Sequence, residues 1–335
     1  MRPSPLPAFL KDAVVLDGSI SGVSALPYIE DVMRGGFHAG NWTVAGGFGD
    51  AAMSTLAKIA ERYSLIEQHP DLLLLVERLA DLERARREGK FGVILGFQGI
   101  ESIEGRFHLL AVYHKLGVRV IGLTYNNRNV VGSGCLEPDD GRLTRFGIEV
   151  VREMNRLGIV VDLTHVGNRT SLDAMTLTTA PVVFSHSNAK AVRSNPRNIT
   201  DEQIRACAAT GGVVGIATFA DFVADTTGGK RPTLDDYFRH IDHVAQLVGV
   251  DHVGIGTDIF ADPTHGTWWN SNTRMRYPEI CGGMTYDTHG LAGFEHHTEF
   301  PAVVEAMVKH GYSATDIVKI VGANWMRVFR AAWRD

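Results

Sequence analysis

The chain has 335 residues, of which 44% are hydrophobic and 21% charged, a composition typical of an ordinary globular protein. The net charge of -5 comes without a long run of one sign, which argues against nucleic acid as the main partner. Three scattered cysteines exclude a disulfide framework or a cysteine-based zinc site. The N-terminus lacks the apolar core of a signal peptide, and no stretch reaches the roughly 20 apolar residues of a membrane span, so we expect a cytoplasmic protein without a membrane partner.

Short β-branched apolar runs alternate with segments of helical spacing along the chain. Strands are predicted at 14–19, 37–44, 92–98, 118–125, 159–165, 181–187, 212–218 and 252–258. Helices are predicted at 54–68, 71–87, 106–116, 146–157, 170–178, 201–210 and 234–247. This alternation indicates an α/β protein whose strands close into a parallel (β/α)8 TIM barrel. Gly40 and Asn41 interrupt the second run, which leaves an open doubly wound sheet as the alternative.

Two regions depart from the repeat. Residues 259–297 lack any periodic pattern, and such a long irregular segment after the last strand is usually a functional loop. Helical patterns at 299–310, 314–321 and 323–333 predict extra C-terminal helices, and with no linker or repeat we expect one domain over 1–335. The loop carries His265, His289, His296 and His297, whose roles the sequence leaves open.

Three predicted strands end on residues that can bind a metal ion. His165 ends GIVVDLTH, His186 ends PVVFSH, and Asp258 ends HVGIGTD. The carboxyl ends of parallel strands form the rim where barrel enzymes do their chemistry, so we expect these side chains to converge there. Two imidazoles and a carboxylate are ligands that zinc accepts, and the carboxylate could also be a general base. The alternative is that each side chain only caps its own strand or loop.

Arg197 lies in the segment SNPRNITD, just before a predicted helix. A guanidinium beside a helix N-terminus is well placed to bind a carboxylate in a bidentate fork. A salt bridge within the loop is the alternative.

The chain resembles the membrane (renal) dipeptidase family of metallopeptidases, a branch of the amidohydrolase-like barrels. The motifs that carry the resemblance are LGVRVIGLTYNNRN at 116–129, GIVVDLTHV at 158–166, FSHSN at 184–188, PRN at 196–198, GIGTD at 254–258 and the segment 311–325. The family implies a (β/α)8 barrel, two zinc ions bridged by a glutamate, and a dipeptide substrate with a free carboxylate. A small-molecule partner follows from this resemblance, and self-association into a homo-oligomer is left open.

The resemblance also assigns roles to single residues. His165 and His186 match the histidines that hold one zinc, Asp258 matches the aspartate that binds the other zinc and assists the attacking water, and Arg197 matches the arginine near the substrate carboxylate. Tyr125 stands where the family has a histidine that polarises the substrate carbonyl, and we expect its hydroxyl to take that role.

The chain departs from the family at the other zinc. The family pattern Asp-Gly-His-x-Asp in the first strand reads here Asp-Gly-Ser19-Ile-Ser21, and Gln98 occupies the position of the bridging glutamate. Serine hydroxyls and a neutral amide are poor zinc ligands, so we expect one divalent ion, most simply zinc, on His165 and His186, with Asp258 and Gln98 as further ligand candidates. A shifted register that brings Glu101 or Glu104 into the bridging position is the alternative to Gln98.

These observations predict a metal-dependent hydrolase of dipeptidase type that cleaves an amide bond next to a free carboxylate by metal-activated water. One alternative is a single-metal hydrolase acting on a different small amide or N-substituted amino acid. The other is a catalytically silent ligand-binding homologue.

Overall fold

The structure, a computed structural model, describes residues 6–21, 26–46, 49–260 and 266–334, with the backbone alone of Trp268. In these ranges the strands are β1 (Leu16–Ile20), β2 (Ala39–Ala45), β3 (Leu73–Leu75), β4 (Phe91–Phe97), β5 (Val118–Gly122), β6 (Val160–Asp162), β7 (Val183–Phe184), β8 (Val213–Ile216) and β9 (Val253–Ile255).

Helices lie between most of these strands and after the last one. They are α1 (Leu26–Arg34), α2 (Ala52–Gln68), α3 (Leu79–Glu88), α4 (Leu109–Lys115), α5 (Arg145–Leu157), α6 (Asn168–Leu177), α7 (Asp201–Ala209), α8 (Ala220–Val223), α9 (Leu234–Val248), α10 (Gly266–Trp269), α11 (Phe300–His310), α12 (Ala314–Val318) and α13 (Asn324–Ala332). The chain divides into two compact units, the first made of Met1–Phe37, His186–Asp201 and Val214–Asn324, the second of His38–Ser185, Glu202–Val213 and Trp325–Asp335.

The second unit is built on parallel strand pairs. β2 and β3 each pair with β4, and from there β4 pairs with β5, β5 with β6, and β6 with β7. Every residue of β4, β5, β6 and β7 is buried, as expected for strands covered on both faces.

The first unit has its own parallel pair, β8 with β9, and β1 lies next to β9. The parallel strands follow one another in chain order with helices between them, which is the order of a (β/α)8 TIM barrel. The predicted fold class is therefore confirmed, and α11, α12 and α13 are the additional C-terminal helices. One domain over 1–335 stays a prediction.

Local sequence explains where the helices begin and end. At α5 the Thr144 hydroxyl accepts a hydrogen bond from the Gly147 amide (2.9 Å), and Gly158 ends the helix at φ 80°, a left-handed conformation that glycine adopts without a steric penalty. At α9 Thr233 and Asp236 form a capping box in which each side chain accepts from the other residue's backbone amide. Both helices bury one apolar face, so capping and burial favour the same boundaries.

The prediction for 71–87 is wrong at its start. Leu73–Leu75 form β3 and pair with β4, and α3 begins only at Leu79. Four consecutive leucines at 72–75 carry neither a helical nor an alternating period, so their pattern alone cannot separate a strand from a buried helix. The predicted loop 259–297 contains α10 and several short helical turns within its described residues, and His265 lies outside the described residues.

Within the described residues no helix is both long and apolar enough to cross a membrane.

Gly322, between α12 and α13, allows a close contact with the segment that leads into β1, because a Cβ at this position would lie 1.7 Å from the carbonyl oxygen of Val14. We expect Gly322→Ala to lower the free energy of unfolding by about 1–3 kcal/mol, the usual cost of overpacking. Denaturant titration measures this, with Gly46→Ala as the control, since a Cβ there meets nothing within 4 Å. Equal unfolding midpoints for the two variants would contradict this close contact.

Candidate active site

A buried carboxylate in β1 holds the segment that carries Asp258. Asp17 Oδ1 accepts hydrogen bonds from the backbone amides of Ser19 (3.1 Å) and Thr257 (2.8 Å). Its Oδ2 accepts from the Thr257 hydroxyl (2.6 Å) and from His297 Nε2 (3.1 Å). Four donors satisfy this fully buried carboxylate, and together they fix the backbone immediately before Asp258.

Asp258 adopts a left-handed conformation, φ 54°, and its amide donates to the Ser19 carbonyl (3.1 Å). Its carboxyl group hydrogen-bonds to Ser21, whose hydroxyl lies 3.5 Å from that of Ser19. Burial raises the pKa of Asp258 to about 7, against the opposing effects of the Ser21 hydrogen bond and the Arg197 charge. A carboxyl group with this pKa can take up or release a proton near neutral pH.

Arg197 and His186 are buried in the same unit as Asp258. The Arg197 amide donates to Asn195 Oδ1 (2.9 Å), and its guanidinium lies over the Phe222 ring, 5.0 Å from the centroid. Burial, reinforced by the Arg197 charge, holds the pKa of His186 well below its ordinary value. His186 is therefore a neutral imidazole, the form that binds metal ions.

In the second unit, His165 is held by an asparagine that the sequence did not single out. Asn126 Oδ1 lies 2.7 Å from His165 Nδ1, and the two residues have φ 59° and 69°. The His165 ring stacks on that of Tyr125, with centroids 4.0 Å apart and planes at 26°. Because the amide oxygen of Asn126 is the acceptor, the proton of a neutral His165 ring lies on Nδ1, and Nε2 carries the lone pair. This tautomer is usual for a histidine that binds a metal ion through Nε2.

Asp162 in β6 repeats the arrangement of Asp17 within the second unit. Its Oδ1 accepts from the backbone amides of Thr164 and Ser185 (both 3.0 Å), and its Oδ2 accepts from the Ser185 hydroxyl. Burial raises the pKa of this carboxyl group. Ser185 directly precedes His186 in the chain, so the Asp162 side chain fixes the backbone that leads into that histidine.

Gln98 follows β4 directly and is buried, with its Nε2 donating to Thr43 Oγ1 (3.1 Å). Glu101 is partly buried, accepts a hydrogen bond from Asn129 (3.1 Å), and burial raises its pKa. Glu104 is exposed and accepts from Arg106 and from the Ala52 amide. These hydrogen bonds hold the Glu104 carboxylate at the surface.

The structure brings the predicted residues together in two groups. Ser19, Ser21, His186, Arg197 and Asp258 belong to the first unit; Gln98, Tyr125 and His165 belong to the second. Among the described residues, no group of three or more His, Cys, Asp or Glu side chains has the arrangement of a metal site.

Sequence reasoning missed Asp17, Asp162, Asn126 and His297. Each aspartate lies in a strand shortly before a predicted site residue, and Asn126 directly follows Tyr125. These places in the sequence do not distinguish a residue that supports the site from an ordinary polar residue. His297 is one of the loop histidines whose roles the sequence leaves open. Its ring is buried edge-on against Phe37, with the centroids 5.4 Å apart, while Nε2 contacts Asp17.

Comparisons with known proteins agree on one family. The family model described as membrane dipeptidase (Peptidase family M19) matches residues 23–272. Dipeptidase verJ of Clonostachys rogersoniana is 29% identical over 313 residues, covering 93% of this chain and 72% of the relative. Dipeptidase tcpJ of Claviceps purpurea (strain 20.1) is 30% identical over 268 residues, 79% of this chain, and the match spans 57% of that relative's length.

A solved structure gives the same result for the fold. The crystal structure of an amidohydrolase from Pseudomonas aeruginosa is 34% identical, has a TM-score of 0.88, and the match covers 97% of this chain and 98% of that one.

The Asn126–His165 hydrogen bond predicts which ring nitrogen of His165 carries the proton. In metal-free wild type, long-range 15N NMR should show the Nδ1–H tautomer of His165 at a pH where the ring is neutral. Asn126→Gly tolerates the left-handed backbone but removes the acceptor, so both tautomers should become populated. Asn127→Gly, at an exposed neighbouring position, is the control. A wild-type ring protonated on Nε2 alone would refute this assignment.

Proposed function

Because the chain belongs to the membrane dipeptidase family (Peptidase family M19), we propose that it is a hydrolase of dipeptidase type that cleaves an amide bond next to a free carboxylate. The observation that carries the proposal is the buried cluster of the first unit. There the Arg197 cation acts on the pKa of both His186 and Asp258, and Asp258 has a pKa of about 7. Such a cluster combines a cation for a substrate carboxylate with a group able to accept a proton at neutral pH.

The metal-binding part of the proposal is one divalent ion, zinc by ligand chemistry, held by His165 and His186. Neutral imidazole is a preferred zinc ligand, and the Asn126 contact leaves His165 Nε2 as the nitrogen with the lone pair. Asp258 and Gln98 are the remaining ligand candidates. Ser19 and Ser21, hydrogen-bonded with Asp258, do not fit a second ion.

A bound ion of this kind supplies Lewis-acid activation of water and of the substrate carbonyl. The other steps belong to the chain itself. Arg197 binds the substrate carboxylate through its planar guanidinium, and the Tyr125 hydroxyl donates a hydrogen bond to the carbonyl oxygen as negative charge develops there. The Asp258 carboxylate takes a proton from the attacking water. Hydroxide adds to the amide carbon, the C–N bond breaks, and the amine leaves with that proton.

The serines at positions 19 and 21 favour a second candidate, a homologue of the same fold that binds its ligand without hydrolysing it. Hydrolysis of any dipeptide or N-substituted amino acid excludes that candidate. Hydrolysis of N-substituted amino acids but not of dipeptides favours a single-metal hydrolase of different substrate class. Cytoplasmic location and homo-oligomerisation stay predictions.

Metal content tests the ligand proposal directly. Protein purified without chelator should contain no more than one tightly bound divalent ion per chain by elemental analysis. His165→Ala and His186→Ala should each lose that ion and most hydrolytic activity while keeping the wild-type circular dichroism, because both histidines lie after their strands rather than within them. His108→Ala, at an exposed histidine, is the control. Two fully occupied ions, or an active His186→Ala protein, would reject the proposed ligands.

Substrate charge tests Arg197. A free-acid dipeptide should exceed its C-terminal amide in kcat/KM by about tenfold to a hundredfold, since a charge-assisted hydrogen bond contributes about 1.5–3 kcal/mol. Arg197→Ala should lose this discrimination, and Arg197→Lys should lose part of it because an ammonium cannot form the planar fork. If wild type does not discriminate, Arg197 is a structural loop residue and does not bind substrate.

A further inference from the structure

A cavity of about 280 Å³ lies within the first unit, between Arg231 and the loop that follows β9. We propose that this cavity, called here the aromatic cavity, binds the side chain of the substrate's C-terminal residue and selects an aromatic ring that bears a hydrogen-bond donor, a phenol or an indole. This inference rests on the proposed function and names the substrate class of the same site. The residues that argue for it line the cavity: Arg231, Phe260, Tyr286, His289, Glu295 and His296.

The wall of the aromatic cavity is a set of packed rings. The His289 ring stacks on Tyr286, with centroids 4.9 Å apart and planes at 22°, and meets Phe260 edge-on at 6.0 Å. The Tyr286 hydroxyl donates to the Phe260 carbonyl (3.3 Å), which ties the two sides of the wall together. Rings held in this way present flat apolar surfaces and edges against which a further ring packs favourably.

His289 gives the wall a polar atom of defined character. Its Nδ1 donates to the Tyr286 carbonyl, which leaves Nε2 as the other polar atom of the ring. Burial lowers the pKa of His289, so the ring is neutral at pH 7 and Nε2 is an acceptor. Among the described residues no donor pairs with Nε2. A ligand group bearing O–H or N–H supplies the missing donor, and an aliphatic side chain does not.

Charge at the cavity argues against an anionic side chain. Arg231 and Glu295, the cation and a carboxylate of the lining, form an ion pair with each other. An anionic ligand group would meet Asp287, the second carboxylate of the lining, and would have to compete with Glu295 for Arg231, whereas a neutral ring need not. The volume matches one large side chain, since it lies just below the range of about 300–1,000 Å³ found for pockets that hold drug-sized ligands.

The aromatic cavity is connected to the substrate-carboxylate position by contacts within the same unit. The Arg197 guanidinium lies over Phe222, whose ring packs on that of Phe219 at 4.4 Å, and Phe219 in turn lies 6.4 Å from the His289 ring. The Ala220 amide also donates to the His289 carbonyl (2.8 Å). On the other side, Phe260 follows Asp258 by two residues. The side chain that we assign to the cavity is that of the residue whose carboxylate Arg197 binds.

The test compares ligands that differ only in the side chain. L-Tyrosine, L-phenylalanine and L-leucine are titrated into the full-length protein by calorimetry, and Gly-Tyr, Gly-Phe and Gly-Leu are compared in kcat/KM. We expect tyrosine to exceed phenylalanine by about 3- to 10-fold, the worth of one neutral hydrogen bond, and leucine to be the weakest. His289→Phe keeps a ring but removes the acceptor and should abolish the preference for tyrosine over phenylalanine.

Two further variants make the result interpretable. His289→Gln retains an amide oxygen as an acceptor and should keep part of the preference. His310→Phe removes a histidine of the same unit whose Nε2 is bonded to Asp242 outside the cavity, and should leave the preference unchanged. Circular dichroism and unfolding midpoints check that all three variants fold.

Failure of the subsite and failure of the proposed function give different results. Hydrolysis of the three dipeptides at equal rates, with no effect of His289→Phe, would overturn the aromatic cavity and leave the dipeptidase proposal intact. Tyrosine binding that depends on His289, without hydrolysis of any dipeptide, would support the cavity and reject dipeptidase activity. Absence of both binding and hydrolysis would overturn both.

Discussion

The candidate site depends on two buried carboxylates that each hold the end of another strand. Asp17 accepts hydrogen bonds from both the amide and the hydroxyl of Thr257, and Asp162 does the same with Ser185. The next residue in the chain is a site candidate in each case, Asp258 or His186. A buried carboxylate left without donors would be strongly destabilised, so these bonds fix the local backbone as well as satisfying the charge. The same pattern of hydrogen bonds occurs in both units, and in each it fixes the backbone from which a site side chain extends.

Electrostatics then sets the chemistry of the first unit. Burial disfavours the charged form of both His186 and Asp258, so it lowers the pKa of the histidine and raises that of the carboxyl group, whereas the Arg197 charge lowers both pKa values. Its positive charge adds to burial at the histidine, which stays neutral, and offsets burial at the carboxyl group, whose pKa settles at about 7. The Arg197 cation thus helps to keep His186 as a neutral imidazole, and it keeps the pKa of Asp258 in the range where the carboxyl group exchanges a proton near neutral pH. The hydroxyls of Ser19 and Ser21 join this network as neutral hydrogen-bonding groups, which is a role that serine performs better than metal binding.

Much of the fold follows from the sequence pattern, because strands of a parallel barrel are buried on both faces and read as short β-branched runs. Each of the eight predicted runs overlaps an observed strand, and most of the strands are shorter than predicted, as at β6 (Val160–Asp162), where His165 lies three residues beyond the end. The strand at Leu73–Leu75 was missed because four consecutive leucines carry no period. The family resemblance is confirmed by the family model that matches residues 23–272. It could be recognised in the sequence because several of its motifs include these strands and the residues that follow them.

By itself the sequence determined which segments form the parallel strands, which residue types follow them, and that positions 19 and 21 carry serine and position 98 glutamine. These features depend on the identity of each residue and on the pattern of its neighbours in the chain, so the sequence is sufficient to define them. Only the tertiary structure decided the left-handed backbone at His165 and Asp258, and the Asn126 contact that selects the His165 tautomer. It also decided that Asp17 holds Thr257, a residue 240 positions away. Such pairings depend on which strands become neighbours after folding, and hydrogen bonding between distant residues leaves no periodic signal in the chain.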